Sequence, residues 1–175
     1  MKRVGQWVRS ESKQPSLAMA VALAAVLVAI DAFLLNQGVI AALVGIWMLF
    51  VALPRAAFGE PAIRRVRLAR VAVFLTAALF VFGLNWLNNA IARTRAETLI
   101  AAINAFKQTN QRYPRDLGEL VPGFLDSVPN AKYTFGHAAF DYVATGVDAA
   151  LMYVAFPPFY RPTYQFESGR WAVLD

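Results

Sequence analysis

Few side chains in this chain could do metal or acid–base chemistry. His137 is the only histidine and there is no cysteine, which removes disulfides, a thiol nucleophile and the usual zinc ligands. Asp141 and Asp148 flank a predicted strand and turn, and we interpret them as solvated turn carboxylates in preference to an acid–base pair. The sequence therefore predicts no metal site.

No hydroxyl side chain is placed for nucleophilic chemistry. Ser127, Thr145 and Ser168 lack a neighbouring base with its own orienting group, and no glycine-rich phosphate loop occurs. We therefore expect a non-enzymatic protein with no catalytic residue and no cofactor.

Asp31 is the one carboxylate inside a long apolar run, where an unpaired charge is unfavourable. It lies near the end of its run, and Asn85 lies at a comparable distance from the end of a later run. We predict that the two meet at similar depth and form a hydrogen bond that helps the helices pack, and an Asp31 that reaches to the membrane interface is the alternative. An enzyme using Asp31 is a further hypothesis, but a proton relay would need additional ionisable groups that the apolar runs lack.

Residues 157–162 have the composition of a recognition surface. Phe159, Tyr160 and Arg161 are residue types that interfaces favour, and prolines stand on both sides of them. We take these three residues as the candidate interaction surface. The alternative is a rigid connection whose aromatic rings pack on a sheet.

Three apolar helices must position these residues, at about 17–35, 39–57 and 71–92. A run of 19 residues spans about 28 Å as a helix, close to the thickness of the hydrocarbon core. The second run is the weakest because Pro54 ends or kinks it. A cleaved signal peptide is the rival interpretation of the first run, but a second run follows almost at once, which favours a retained helix. Residues 1–92 are predicted to form a membrane domain.

The charge of +6 lies entirely beside these runs. Residues 1–92 contain nine Lys/Arg and three Asp/Glu, whereas residues 93–175 contain eight of each, which argues against nucleic-acid binding. Four Lys/Arg precede the first run and five lie in 54–70, but none lies in 36–38. The positive-inside rule then places the N-terminus and the 54–70 loop in the cytoplasm. Residues 93–175 are predicted to be a periplasmic domain on a bacterial inner membrane, and the 54–70 loop an anchor or a segment that binds lipid headgroups.

A single helix from Arg70 to Tyr113 is predicted to join the two parts. Its second half places apolar residues on one face, namely Ala92, Ala96, Leu99, Ile103 and Phe106. Thr94 and Glu97 fit a capping box, so a break near Thr94 stays an alternative.

The remaining chain predicts a short helix and an antiparallel sheet. The helix is expected at Pro114–Val121, with Leu117, Leu120 and Val121 inward. Strands are expected at 132–135, 140–144 and 150–156, and the prolines at 157, 158 and 162 are expected to exclude a central strand between them. A hairpin of 164–167 and 170–174 is predicted to turn at Ser168-Gly169, which pairs Glu167 with Arg170 and Phe166 with Trp171. The fold class is a three-helix membrane segment with a small α+β domain.

This plan resembles type IV pilins and the major pseudopilins of type II secretion, in which a long helix precedes a small antiparallel sheet. The resemblance covers about 71–175 in plan and 99–129 in detail, through residues 102–107, Arg112-Tyr113-Pro114, Leu117, Leu120-Val121-Pro122, Phe124-Leu125 and Val128-Pro129. It implies a pilin-like fold and a role near secretion or pilus assembly.

The chain departs from the pseudopilin pattern in three respects. Gln111 stands where the family usually has glycine, and two additional apolar runs precede the long helix. We also expect no prepilin-type leader, because Gly5-Gln6-Trp7 is followed by polar residues and not by an immediate apolar stretch. We therefore expect a subunit that does not polymerise, and the family's calcium site is not carried over.

These features predict a membrane-anchored, non-enzymatic accessory or interaction protein of the bacterial envelope. Its expected partners are the lipid bilayer and an envelope protein, and no oligomeric state is predicted. The alternative is a membrane-anchored sensor or small-ligand-binding module, which would need a pocket between the long helix and the sheet.

Overall fold

The computed structural model describes residues 16–36, 38–58, 61–145, 147–156 and 160–174, and it has an α+β layout. Apolar helices form a bundle, and a four-stranded antiparallel sheet packs on the far half of the longest helix. The elements are α1 (Leu17–Val28), its π-helical continuation Ala29–Leu35, α2 (Val39–Trp47), a π-helical segment Met48–Ala52, α3 (Leu53–Ala57), α4 (Pro61–Asn110), a 3-10 turn Leu117–Leu120, β1 (Asp141–Ala144), β2 (Ala149–Met152), β3 (Arg161–Gln165) and β4 (Arg170–Leu174).

Three helical stretches are long and apolar enough to cross a membrane: Leu17–Leu35, Val39–Ala57 and part of Ile63–Asn110. The first two coincide with the predicted runs. Pro54 does not end the second helical stretch, because the backbone before it is π-helical. In this segment the N–H of Leu53 bonds to the carbonyl of Met48.

The helix α4 is longer than predicted. Its 50 residues span about 75 Å without a break at Thr94, and it begins at Pro61, a residue type favoured in the first helical turn. The arginine-rich segment 64–70 is therefore helical and not a loop. The helix ends at Asn110, before the predicted Tyr113, because Gln111 takes a left-handed conformation at φ 57.

The bundle is packed through small residues. Ala24, Ala32 and Ala41 are buried on the hairpin of α1 and α2, and Ala77 and Ala78 face them from α4. Large apolar side chains point outward, including Phe50, Leu79 and Trp86. Small residues inside and large apolar residues outside are typical of helices that meet lipid.

The predicted apolar face of α4 forms the core beneath the sheet. Ala92, Ala96, Leu99 and Ile103 are fully buried and Phe106 is nearly so. The following helix is only a 3-10 turn, capped by the Asp116 carboxylate, which accepts from the N–H of Gly118 and of Glu119. Leu120 is buried and Leu117 packs on the core as predicted, but Val121 points outward because the turn ends before it.

The sheet has the strand order β1-β2-β3-β4. The predicted strands at 140–144 and 150–156 are present as the shorter β1 and β2. The predicted strand at 132–135 is wrong, since this segment forms an irregular loop that contacts the helices. The expectation that Pro162 helps to exclude a central strand is wrong, because Pro162 lies inside β3, between β2 and β4, and its carbonyl accepts from the N–H of Tyr153. Pro157 and Pro158 lie outside the described residues.

The last hairpin is present in a different register. Gln165 pairs with Arg170 and Tyr164 with Trp171, so the predicted pairs of Glu167 with Arg170 and Phe166 with Trp171 do not form. The turn takes four residues, because Gly169 adopts φ 64 and its N–H bonds to the carbonyl of Gln165. The shift is two residues, which leaves Tyr164, Trp171 and Val173 on one face as predicted.

Candidate functional site

Asp31 is a helix cap supplied from a neighbouring helix. Its carboxylate is fully buried and accepts from the N–H of Gly38 at 2.8 Å and from the N–H of Ala41 at 2.7 Å. These N–H groups belong to the start of α2, where no carbonyl of the preceding turn can reach them and the helix dipole favours a negative charge. Both carboxylate oxygens therefore act in holding the turn between α1 and α2.

Asn85 borders the same turn without bonding to Asp31. A Cβ atom added to Gly38 would lie 3.1 Å from the Asn85 Nδ2, so the amide packs directly on this glycine. The side-chain amides of Asn36 and Asn85 are buried and make no hydrogen bond within the described ranges. The structure thus brings Asp31 and Asn85 to one glycine, but the predicted hydrogen bond between them is not formed.

Loop 130–136 attaches the sheet to the helices; we call this contact region the junction. The N–H of Phe135 donates to the carbonyl of Phe33 at 2.9 Å, and the N–H of Tyr133 donates to the Asn88 Oδ1 at 3.3 Å. On α4, Arg95 donates to the carbonyl of Asn130 at 2.8 Å and to the hydroxyl of Tyr133. The loop is therefore bonded both to the π-helical continuation of α1 and to α4.

Lys132 joins this loop to the segment that follows β2. It is 1% exposed, and its Nζ donates to the carbonyl of Ala155 at 2.9 Å. Burial lowers the pKa of its ammonium to about 8, because the charged form loses hydration. No feature of the sequence pattern distinguishes this lysine from a solvated one.

A cleft of about 210 Å³ lies between α4 and the sheet. We call it the aromatic cleft. Asn89 and Arg93 line it from α4, and the opposite wall includes Tyr153, Tyr160, Trp171 and Val173. Its position is the one that the ligand-binding alternative requires.

Arg93 gives the aromatic cleft a positive charge. Its guanidinium lies 4.0 Å from the centroid of the Trp171 ring, a cation–π distance, and its Nε lies 3.3 Å from a carboxylate oxygen of the exposed Glu97. Burial raises the pKa of the Tyr153 hydroxyl, and the charge of Arg93 opposes that shift. Tyr153 therefore stays a neutral phenol.

The aromatic wall of the cleft is a packed set of rings. Tyr153 meets Phe140 and Trp171 edge to face, with centroids 6.0 and 6.1 Å apart, and Trp171 also meets Tyr164 at 5.4 Å. The side-chain oxygen of Asn89 has no hydrogen-bond partner among the residues described. The arrangement suits an apolar or aromatic group that carries a neighbouring negative charge, which Arg93 would pair.

The predicted interaction surface is divided by the structure. Tyr160 lines the aromatic cleft and is fixed by a bridge to Phe156, with N–H to carbonyl distances of 2.9 and 3.2 Å. Arg161 is exposed at the start of β3 and does not line the cleft, and Phe159 lies outside the described residues. Arg93 and Trp171, which sequence reasoning did not select, are brought to Tyr160 by the docking of the sheet on α4.

The other polar candidates have local structural roles or none. Asp148 accepts from the N–H of Ala149 at 2.7 Å and from the N–H of Glu167 at 3.2 Å, which fixes a turn. His137 lies in the loop after the junction with φ 53, and Asp141 is exposed at the start of β1. Within the described part of the chain, no group of three His, Asp or Glu side chains could hold a metal ion.

Comparison with known proteins gives this chain no relative: no family model, no curated protein and no solved structure matches it. Its own geometry is therefore the basis for a functional proposal.

Proposed function

We propose that this chain is a membrane-anchored, non-enzymatic interaction protein of the bacterial envelope, which holds its sheet domain at a fixed height above the membrane. One observation carries the proposal. The helix α4 is continuous through both parts of the chain. Its first half packs in the apolar bundle, and its second half contributes to the core beneath the sheet. The junction adds hydrogen bonds from the sheet domain both to the π-helical continuation of α1 and to α4, so the two parts would move as one.

The charge distribution supports an orientation with the sheet domain in the periplasm. The arginines at 64, 65, 67 and 70 lie in the first turns of α4, and the sheet packs on its opposite half. Cytoplasmic segments are enriched in Lys and Arg. An α4 of about 75 Å is much longer than the hydrocarbon core of about 30 Å, which leaves its second half free to carry a domain outside.

The aromatic cleft is the proposed contact with the partner. Aromatic residues and arginine dominate the energetics of protein interfaces, and the cleft presents Tyr160, Trp171 and Arg93 together. A partner segment with an apolar side chain beside a carboxylate matches this chemistry. The resemblance of residues 99–129 to pseudopilins supports a partner within secretion or pilus assembly.

The test is site-specific photo-crosslinking in intact membranes. A photoreactive phenylalanine analogue replaces Tyr160, or as a control Gln108, which is exposed on α4 away from the cleft. We expect one discrete envelope-protein adduct at 160 and none at 108. Adding Arg93→Gln should abolish the adduct, whereas Glu97→Gln should retain it. Equal labelling at both positions, or an adduct indifferent to Arg93, would contradict the proposal.

A sensor that binds a small ligand is the second candidate, because the aromatic cleft exists between the long helix and the sheet. Small carboxylates with an aromatic ring are the ligand class that its charge and rings favour. We expect such a ligand to raise the melting temperature of the purified chain, and Arg93→Gln to remove the effect. Stabilisation by a ligand without any adduct at 160 would favour the sensor over the interaction protein.

A further inference from the structure

A second groove lies at the end of the bundle that is remote from the sheet. It has a volume of about 460 Å³ and runs between the second helical stretch and α4. We call it the arginine groove. Its apolar part is formed by Trp47, Met48, Val71 and Phe74, and its charged part by Arg55, Arg67 and Arg70.

The apolar part of the groove has a well-packed floor. Met48, Ala56 and Val71 are each less than a tenth exposed and form one buried cluster, with Phe74 packed against it. Trp47 is half exposed at the edge. The groove therefore offers a preformed apolar surface that the rest of the described chain does not cover.

The charged part collects arginines from two separate elements. Arg55 comes from α3, whereas Arg67 and Arg70 come from α4. Neither Arg55 nor Arg67 forms an ion pair within the ranges that the structure describes. Arg64 and Arg65 belong to the same arginine-rich segment but do not line the groove. Within the arginine-rich segment, Arg67 and Arg70 therefore line the groove, whereas Arg64 and Arg65 lie outside it.

The geometry points to an anionic phospholipid as the occupant of the arginine groove. We propose that its phosphate binds between Arg55 and Arg67, since guanidinium groups pair with phosphate oxygens in a fixed fork. An acyl chain would lie along Trp47 and Phe74. A soluble phosphate would match the arginines but leave the apolar wall uncovered, so the lipid accounts for both halves of the groove. Basic pockets between membrane helices bind anionic headgroups by this combination.

This inference rests on the proposed membrane location of the three helices and not on the aromatic cleft. The membrane location and the arginine groove can therefore be refuted independently of each other. A chain that does not integrate into vesicles would refute the membrane location, whereas an integrated chain without lipid preference would refute the arginine groove alone.

The experiment measures lipid selectivity of the full chain in phosphatidylcholine vesicles. Trace spin-labelled phosphatidylglycerol or spin-labelled phosphatidylcholine is added, and the motionally restricted fraction of each gives a relative association constant. We expect the native chain to prefer phosphatidylglycerol by at least about fivefold, the effect of roughly one interfacial arginine. The double variant Arg55→Gln/Arg67→Gln should reduce the preference to near one.

The matched control is Arg64→Gln/Arg65→Gln, which removes the same number of positive charges from the start of α4 outside the groove. It should keep most of the preference, and an equal loss in both double variants would overturn the proposal in favour of general surface attraction. Ala52→Leu fills the apolar part without changing charge and should also lower the preference. Loss of the preference on adding inorganic phosphate, with Ala52→Leu unaffected, would identify a phosphate site and overturn the lipid assignment. Helix content by circular dichroism must match among the variants.

Discussion

The backbone N–H of Phe135 donates a 2.9 Å hydrogen bond to the carbonyl of Phe33, which joins the sheet domain to the end of the first apolar helix. The last carbonyls of a helix have no partner within that helix. Phe33 therefore gains from a distant loop a bond that its own helix cannot supply. At the same turn Asp31 supplies the start of α2 with acceptors. The turn between the first two helices is thus stabilised from two directions.

Enlarging Gly136 should weaken the junction. A Cβ atom there would lie 3.0 Å from the backbone carbonyl oxygen of Leu34, so Gly136→Ala forces the loop away from the π-helical continuation of α1. We expect a loss of about 1–3 kcal/mol and faster hydrogen exchange at the Phe135 amide. Gly123→Ala is the control, because nothing lies within 4 Å of its added Cβ. Equal exchange at Phe135 in both variants would show that the junction does not depend on this contact.

Replacing Asp31 should destabilise the helical hairpin. Asp31→Asn leaves one acceptor oxygen and turns an NH₂ group toward a backbone N–H, so we expect a loss of about 1–3 kcal/mol in the free energy of unfolding. Asp31→Ala should lose more, because it removes both acceptors. Thermal unfolding in detergent micelles measures the difference, with the exposed Asp126→Asn as the control. A melting temperature for Asp31→Ala equal to that of the control would refute the capping role.

The proposed topology predicts the response of fused reporters. A reporter after Gln37 should be periplasmic, one after Glu60 cytoplasmic and one at Asp175 periplasmic. Lys and Arg are in excess before the first apolar run and in 54–70, whereas 36–38 has none and residues 93–175 have as many Asp and Glu as Lys and Arg. Alkaline phosphatase, active outside, and green fluorescent protein, fluorescent inside, report opposite results at each site. A cytoplasmic Asp175 would overturn the envelope location while leaving the fold unchanged.

Lys132 should make stability rise with pH above neutrality. Burial lowers its pKa from 10.5 to about 8 in the folded chain. Between these values the unfolded chain still binds the proton that the folded chain has released, so unfolding becomes less favourable as pH increases. The window closes near pH 10, where Tyr142 and Tyr153, whose pKa values burial raises, begin to act in the opposite direction.

The measurement is the melting temperature of the full chain against that of Lys132→Met from pH 7 to 10. Because Met cannot titrate, the difference between the two chains isolates the lysine. We expect the native chain to gain stability relative to Lys132→Met from about pH 8 upward. A difference that stays constant across the range would mean that Lys132 is not desolvated in the folded protein.

Much of the helical architecture follows from local composition. The apolar runs at 17–35 and 39–57 have the predicted bounds, and the buried face of α4 from Ala92 to Phe106 is the predicted one. The pairing register of β3 and β4 was predicted less well, since the observed hairpin is offset by two residues from the predicted one. A four-residue turn with Gly169 in a left-handed conformation is compatible with the same alternation, so the pattern alone does not choose between the two registers.

The sequence by itself determined which segments avoid water and which end of the bundle is positive, because hydrophobicity and charge belong to each residue wherever it lies. Only the tertiary structure decided which groups meet. It gave Asp31 its backbone donors, turned the predicted strand at 132–135 into the junction, buried Lys132 and brought Arg93 to Trp171. Those contacts join positions far apart in the chain, and polar partners are set by the docking of whole elements, which no local pattern records.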